Sequence, residues 1–295
     1  MTGRNVTRDE SVRSATPITI ATGFAYPESP RWHRGQLWLA DQHTGLVHAL
    51  GADGTSVLNI AVPGGPSGMG WLPDGDLLVV SMNERCVYRW RSEVRLAVHA
   101  ELGHLHLGQS NDMVVSHNGR AYVGNVGFDY FKGDLPQPTN LVAIEVGGAA
   151  RIVADDLLCP NGMVISPDGR TLIVAETFGF RLTAFDIAPD GSLSNRRVFA
   201  DLAGRSPDGI CMDAEGCVWA AIALDRCVIR VREGGEIADR VVTIGANPYA
   251  CVLGGRDRRE LHICCAPDHN SELTTSLLAG RVDTLRVSVP GAGNP

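Results

Sequence analysis

One pattern recurs six times along the chain and limits its fold more than any other feature. Each copy has a small or acidic residue, a short apolar stretch, a Gly-containing turn and an alternating strand. The copies lie at 27–41, 66–81, 110–125, 160–176, 207–222 and 249–265. The turn glycines of the first five copies are 40 to 50 residues apart, and the sixth copy has Arg258-Arg259 at the turn. A repeat of this length is typical of propeller blades.

The residue types inside each unit support an all-β fold. Asp74-Gly75, Asn118-Gly119 and Asp168-Gly169 tolerate positive φ, which predicts two-residue hairpin turns. The strands that follow are rich in β-branched, aromatic and apolar residues, as expected for strands buried on both faces. A second hairpin follows in most units, giving about four strands per unit. The sequence therefore predicts a six-bladed β-propeller with four-stranded blades around a central channel.

The two ends of the chain supply a way to close the ring. Segments 18–24 and 283–289 are both strand-like, and we expect them to complete one shared blade. Residues 17–295 then form a single propeller domain, preceded by a disordered N-terminal tail at 1–16, and 290–295 are expected to fray. No stretch has a sustained helical period with a convincing cap, so no helix is predicted.

Composition excludes several classes of partner. The 295 residues include 26 Lys or Arg and 33 Asp or Glu, for a net charge of −7, which disfavours nucleic acid and anionic membranes. No signal-peptide-like or membrane-spanning run occurs, so the chain is expected to be cytoplasmic. The eight cysteines form no CxxC pair and are expected to be buried, reduced thiols. The expected partner is a small-molecule substrate, and a monomer or a dimer is compatible with the closed ring.

Polar residues recur where each innermost strand begins, at one mouth of the channel. Glu28, Asn111, Asn161 and Asp208 each lie seven or eight residues before a turn glycine, so they should share one depth and face each other. Two carboxylates and two carboxamides are hard oxygen donors, which suit Ca²⁺, Mg²⁺ or Mn²⁺. Without a cation, the two carboxylates would repel each other in a confined space.

A structural alternative exists for two of these positions. Asn161-Gly162 and Asp208-Gly209 are dipeptides that often form turns, and each could serve only that purpose. Four polar residues at one position of four blades are harder to explain by turns alone. The convergence therefore favours a metal site.

The same motifs resemble those of the regucalcin/gluconolactonase (senescence marker protein-like) family of metal-dependent lactonases. The resemblance runs from about residue 18 to 289 and is most specific in CPNGMVISPDGRTLIVAET and SPDGICMDAEGCVWAA. It implies a six-bladed propeller whose divalent ion is held by Glu28, Asn161 and Asp208. It also implies that Asn111 contacts the ion or the substrate and that Asp112 supports the site. The implied activity is hydrolysis of sugar lactones or related cyclic esters, with Ca²⁺ the first choice and Mg²⁺, Mn²⁺ or Zn²⁺ as alternatives.

The chemistry of a lactonase needs two contributions from such a site. A divalent ion can polarise the lactone carbonyl and stabilise the oxyanion that forms when water attacks. A general base must also lie within reach of that water. Asp208 is the candidate catalytic base, as a ligand whose second oxygen takes the proton. The alternative is that Asp208 is a ligand only and that metal-activated water needs no separate base.

Other residues bear on substrate choice. Gln109 stands where the resemblance places an Arg that holds sugar hydroxyls, so an aldonolactone would be gripped differently. His106, in the segment before Asn111, and Tyr130, in the aromatic segment 127–139, are candidates to line the pocket. If these side chains line the pocket, an aromatic wall would favour a less polar ligand than a sugar. The simpler interpretation is that they only pack within their own loops.

Three functions compete for this sequence. The first is a metal-dependent lactonase. The second is an enzyme of another reaction class on the same scaffold, such as phosphotriester hydrolysis, condensation or isomerisation, because a fold does not determine a reaction. The third is a non-catalytic, calcium-binding or protein-binding propeller.

Overall fold

Six four-stranded antiparallel sheets form the part of the chain that the structure describes. The structure is a computed structural model and describes residues 16–51, 53–92, 94–129 and 132–293. Blade 1 contains β2 (Pro27–His33), β3 (Gln36–Asp41), β4 (Leu46–Leu50) and β5 (Ser56–Ala61). Blade 2 contains β6 (Pro66–Trp71), β7 (Leu77–Ser81), β8 (Cys86–Arg91) and β9 (Val94–Glu101). Blade 3 contains β10 (Ser110–Val115), β11 (Ala121–Asn125), β12 (Thr139–Ile144) and β13 (Ala150–Leu157). Blade 4 contains β14 (Pro160–Ile165), β15 (Thr171–Glu176), β16 (Arg181–Ile187) and β17 (Leu193–Asp201). Blade 5 contains β18 (Ile210–Met212), β19 (Val218–Ile222), β20 (Cys227–Val231) and β21 (Ile237–Val242). Blade 6 contains β22 (Asn247–Gly254), β23 (Glu260–Ala266), β24 (Gly280–Arg286) and β1 (Ile18–Phe24).

The first strand of each unit lies innermost and contacts the innermost strands of both neighbouring blades, so the six sheets form a ring. These strands are β2, β6, β10, β14, β18 and β22. Apolar clusters fill the spaces between adjacent blades, and Leu39, Leu77, Val123 and Val174 on the second strands are fully buried. The predicted six-bladed, four-stranded propeller is confirmed.

The ends of the chain meet in blade 6, as the sequence predicted. β1 is the outermost strand there and pairs antiparallel with β24, with Ile18 opposite Thr284. The expected fraying of the C-terminal segment is wrong for residues 290–293. Gly291 N–H donates to the carbonyl of Arg258 at 2.8 Å, and Ala292 N–H donates to that of Met212 at 3.0 Å. The predicted N-terminal tail lies, apart from residue 16, outside the described residues.

The turns between first and second strands differ from the predicted two-residue hairpins. β6 ends at Trp71 and β7 begins at Leu77, so the connection is longer. Gly75 has a φ of 92°, whereas Asp74 does not enter the left-handed region. The Asp74 carboxylate instead accepts a hydrogen bond from the N–H of Asp76 at 3.1 Å. Gly therefore supplies the unusual backbone conformation, and the Asp side chain braces the loop.

Short helical segments interrupt the strands, although the sequence predicted none, and two of them lie wholly within the described residues. Helix α1 (Ser271–Leu277) connects β23 to β24, and a 3₁₀ segment spans Ala223–Asp225. Asn270 caps α1 by accepting a hydrogen bond from Leu273 N–H at 3.0 Å. Thr274 is the one buried residue of α1, so the helix carries no apolar period that could reveal it.

Two further expectations concern the whole chain. All eight cysteines are buried and free, as predicted. In the described segments, no helix has the length and apolar character needed to cross a membrane.

Two glycines that could have marked turns serve the packing of the inner strands instead. Gly162 lies within β14, Gly209 immediately precedes β18, and neither has a positive φ. A Cβ atom at Gly162 would lie 2.6 Å from both Asp208 O and Ile210 N. A Cβ at Gly209 would lie 2.3 Å from the Cβ of Ala250. These glycines therefore let the inner strands of blades 4, 5 and 6 approach closely.

This packing gives a first prediction. We expect Gly162→Ala to lower the free energy of unfolding by about 1–3 kcal/mol, because the added methyl must displace backbone atoms. Gly147→Ala is the matched control, since a Cβ at Gly147 would meet no atom within 4 Å. Urea unfolding of both variants checks this, and equal stability of the two would contradict the close-approach explanation.

Candidate active site

The polar residues predicted from the repeat lie at one mouth of the channel. Glu28, Asn111 and Asn161 are the second residues of β2, β10 and β14. Asp208 lies two residues before β18 and occupies the corresponding place in blade 5. The innermost strands are aligned at this end, because Gly162 lies against Asp208 and Ile210, and Gly68 lies against Asp112 and Met113. The shared level that the spacing predicted is therefore present.

Glu28 is a buried carboxyl beside other acidic groups. It is 5% exposed, and its Oε2 accepts a hydrogen bond from Ser29 N–H at 2.8 Å. Burial, followed by the charge of Asp208, raises the pKa of Glu28 well above its usual range, and Asp112 adds to this. The Ser29 N–H and the more distant Arg31 act in the opposite direction. The site thus opposes ionisation of Glu28 unless a cation arrives.

Asp208 has a similar environment and contacts the predicted ligand of blade 4. Burial and the charge of Asp112 raise the pKa of Asp208 to about 7, whereas a hydrogen bond with Asn161 lowers it. Asn161 Nδ2 also donates to Thr177 Oγ1 at 3.1 Å, and this hydroxyl donates to the Pro207 carbonyl at 2.9 Å. The amide nitrogen of Asn161 is therefore engaged, which leaves its Oδ1 as the atom suited to a cation.

Asp112 is paired with an arginine that the sequence analysis did not single out. Arg31 Nη2 donates to Asp112 Oδ1 at 2.8 Å, and both side chains are about 6% exposed. Arg31 also donates to the carbonyls of Met69 at 3.1 Å and Met113 at 2.7 Å. Asp112 Oδ1 further accepts from Ser29 Oγ at 3.3 Å. These contacts join blades 1, 2 and 3 below the mouth. Of the three acidic side chains there, Glu28, Asp112 and Asp208, Asp112 has its charge compensated by Arg31.

The remaining predicted substrate residues differ in their surroundings. Asn111 is buried, and its Oδ1 accepts from Ser67 Oγ at 3.5 Å. Gln109 is half-buried and donates through Nε2 to Asn83 Oδ1. His106 is 2% exposed, and its Nδ1 lies 2.8 Å from Ser110 Oγ.

His106 and Tyr130 stay predictions as pocket-lining residues. Burial, with a contribution from Arg85, lowers the pKa of His106 to about 3, so this imidazole is neutral at pH 7. Tyr130 lies outside the described residues.

Two buried tyrosines at the mouth were not anticipated. The ring centroids of Tyr26 and Tyr249 are 4.6 Å apart. Burial and the carboxylates of Asp208 and Glu28 raise the pKa of Tyr26 well above 10 and that of Tyr249 to about 12. A sequence signal was available, because Tyr249 occupies the place that proline has in four other units, at Pro27, Pro66, Pro160 and Pro207.

The donor set fits a hard divalent cation. Glu28 and Asp208 carry carboxyl groups that repel each other when ionised, and Asn161 offers an amide oxygen beside them. Glu28 is buried, whereas Asn161 and Asp208 are half-buried. Burial and the nearby Asp208 raise the pKa of Cys159 to about 12, so its thiol stays protonated and is a poor ligand for a soft metal. No group of three or more His, Cys, Asp and Glu side chains suited to a metal occurs in the described ranges. The candidate site therefore depends on the asparagine.

A comparison with protein families gives one match over most of the chain. Residues 26–266 match the SMP-30/Gluconolactonase/LRE-like region. The matched range begins just before Glu28 and includes Asn111, Asn161 and Asp208.

Curated relatives match over part of their length. A 6-deoxy-6-sulfogluconolactonase from Pseudomonas putida is 30% identical over 176 residues, which are 56% of this chain and 60% of that protein. Regucalcin from Sus scrofa is 26% identical over 188 residues, or 62% of this chain and 63% of that protein. The chain thus spans less than two thirds of the length of these relatives.

Solved structures are similar over almost the whole chain. A calcium-binding protein, regucalcin, from Agrobacterium tumefaciens superposes with a TM-score of 0.80 at 24% identity, covering 95% of this chain and 96% of that one. A gluconolactonase from Xanthomonas campestris gives a TM-score of 0.73 at 22% identity, covering 93% and 89%. At these identities the likeness supports the fold.

The Arg31–Asp112 pair gives a second prediction. We expect Arg31→Met to lower the free energy of unfolding by about 3–5 kcal/mol, because it leaves a buried carboxylate without its partner. The control is Arg205→Met, which removes a partly exposed partner 3.0 Å from Asp225 and should cost less than about 1 kcal/mol. Chemical denaturation measures both, and a comparably small loss in Arg31→Met would refute the role of the pair.

Asp208 gives a third prediction, on pH. Its native pKa of about 7 exceeds the ordinary 3.8, so between these values the folded chain binds a proton that the unfolded chain has released. The stability contributed by this group is present below the ordinary pKa and is lost as the pH rises through 7. From pH 5 to pH 8, metal-free protein should lose about 2–3 kcal/mol more stability than Asp208→Asn.

Denaturant titrations in the presence of a chelator test this pH dependence. The control is Asp155→Asn, since Asp155 is exposed and its substitution should leave the wild-type dependence unchanged. The interpretation fails if Asp208→Asn loses as much stability as the wild type over this range.

Proposed function

Because the chain belongs to the SMP-30/gluconolactonase/LRE-like family, we propose that it is a lactonase that opens a cyclic ester with one divalent cation. The observation that carries the proposal is the cluster of Glu28, Asn161 and Asp208, where a buried and a half-buried carboxyl repel each other at one mouth of the channel. The gluconolactonase names of a relative and of a structural neighbour support the reaction class.

Glu28, Asn161 and Asp208 are the residues that would hold the cation. Their all-oxygen donor set favours Ca²⁺, Mg²⁺ or Mn²⁺ over Zn²⁺, and the description of a structural neighbour as a calcium-binding protein favours Ca²⁺. When bound, such a cation supplies Lewis acidity toward an ester carbonyl and lowers the pKa of nearby water.

Asp208 is the side chain that we assign to proton transfer. Asn161 on the neighbouring blade favours the ionised carboxyl of Asp208, whereas its negative neighbour Asp112 disfavours loss of the proton in the metal-free chain. A bound cation would reverse this effect, so that Asp208 is a carboxylate at neutral pH and can accept a proton from the attacking water.

The bond changes then balance. The water oxygen bonds to the carbonyl carbon, and its proton passes to Asp208. The ring C–O bond breaks, and the departing ring oxygen takes the proton back from Asp208. The product is the open hydroxy acid, and Asp208 returns to its starting state.

Lactone hydrolysis measured by proton release tests the proposal. The substrates are polar aldonolactones and apolar γ- and δ-lactones, given to chelated protein and to protein with Ca²⁺, Mg²⁺, Mn²⁺ or Zn²⁺ restored. We expect turnover only with a cation. Glu28→Gln and Asp208→Asn should each lower kcat at least about 100-fold, because they weaken the cation site or the proton acceptor.

The control for this experiment is the exposed Asp155→Asn, which should retain the wild-type rate. Full turnover in chelator, or in Glu28→Gln, would overturn the metal-dependent mechanism. Silence across the lactones with a cation demonstrably bound would favour another reaction on this scaffold or a calcium-binding role.

A further inference from the structure

The two buried tyrosines form one side of the mouth. Tyr26 and Tyr249, which we call the tyrosine wall, come from blades 1 and 6 and lie within the electrostatic influence of Glu28 and Asp208. His43 stacks on Tyr26 with ring centroids 4.5 Å apart, and its Nδ1 lies 2.6 Å from Thr274 Oγ1 in α1. The wall is therefore supported from behind and keeps its orientation without a ligand.

A second aromatic pair lies near Asn161, one of the predicted metal ligands. Phe128 and Phe178, which we call the phenylalanine wall, meet edge to face with ring centroids 5.3 Å apart. Phe178 directly follows Thr177, whose hydroxyl contacts Asn161. Phe128 follows β11 of blade 3, and Phe178 follows β15 of blade 4.

The ring geometry places these walls opposite each other. The tyrosine wall is at the junction of blades 6 and 1, and the phenylalanine wall is at the junction of blades 3 and 4. In a ring of six blades these junctions are diametrically opposed. The oxygen donors of Glu28, Asn161 and Asp208 lie between the two junctions. Tyr26, Tyr249 and Phe128 are only 8%, 5% and 7% exposed, so a lactone at the donors would meet the exposed edges of these rings and the half-buried ring of Phe178.

The charges at the mouth offer little to an anionic substituent. Arg31 compensates Asp112, which leaves the charges of Glu28 and Asp208. A divalent cation would cancel these two and leave no positive charge in excess. A sulfonate, phosphate or carboxylate on the substrate would gain nothing from this balance.

The polar groups at the mouth are largely bonded to one another. Gln42 Nε2 donates to Ser67 Oγ at 3.3 Å, and Gln109 donates to Asn83. A polyhydroxylated lactone would have to break these hydrogen bonds to make its own. An apolar substituent instead gains by leaving water for the aromatic walls.

We infer that the substrate, under the lactonase function proposed above, is an uncharged lactone bearing an aryl or alkyl group that lies between the tyrosine wall and the phenylalanine wall. The wild-type enzyme with its cation restored gives the first test. The value of kcat/KM should be at least about tenfold higher for dihydrocoumarin than for glucono-δ-lactone or 6-deoxy-6-sulfogluconolactone. A preference for either sugar lactone overturns the inference.

A substitution in the phenylalanine wall gives the second test. Phe178→Ala should lower kcat/KM for dihydrocoumarin about tenfold more than it lowers kcat/KM for unsubstituted δ-valerolactone, because only the former reaches the wall. Phe180→Ala is the matched control, since its ring is 40% exposed and belongs to neither wall. Equal losses on both lactones, or no loss on dihydrocoumarin, contradict the assignment.

Binding of lactams, which are not hydrolysed, separates this inference from the proposed function. In calorimetry with cation present, 3,4-dihydro-2-quinolone should bind at least about tenfold more tightly than gluconolactam. If no lactone is opened but this order holds, the proposed function fails and the inference stands. If gluconolactam binds as tightly or more tightly, the inference fails whatever the enzyme hydrolyses.

Discussion

The close approach of six inner strands around one channel is the constraint on which the rest of the structure depends. Gly162 and Gly209 have no Cβ at the points where neighbouring strands nearly touch, and the preceding side chains, Asn161 and Asp208, enter the mouth. Glu28 arrives there from the first blade. Packing of the ring therefore assembles the site from residues that are far apart in the sequence.

The acidic side chains at the mouth repel one another, and only one of them has a positively charged partner. Arg31 neutralises Asp112 through a buried ion pair, with additional hydrogen bonds to backbone carbonyls. Among the described residues, no ion pair forms with Glu28 or Asp208, and their raised pKa values express the cost of ionising two neighbouring, largely desolvated carboxyls. A divalent cation would relieve that cost, and under the proposed function the same cation would supply the Lewis acid for lactone opening. The proposed function would thus link stability and chemistry through one site.

Much of the fold could be predicted because it depends on local chemistry that repeats. A turn glycine marks five of the six units, and the spacing from glycine to polar residue placed Glu28, Asn111, Asn161 and Asp208 at one mouth. Helix α1 was missed because a short helix with a single buried residue leaves no period in the sequence.

The partners of the predicted residues could not be derived in the same way. Arg31 and Asp112 are 81 positions apart, and nothing in either segment states that they meet. The tyrosine wall likewise joins the two ends of the ring, Tyr26 from the first blade and Tyr249 from the last. Such contacts depend on how the blades pack against one another, which a residue pattern within one blade does not describe.

A crystal structure of the protein grown with Ca²⁺ tests the central claim most directly. We expect one calcium ion at the mouth, with oxygens of Glu28, Asn161 and Asp208 at about 2.3–2.6 Å from it. A calcium ion bound elsewhere, with these three side chains directed away from each other or bonded only to protein groups, would contradict it.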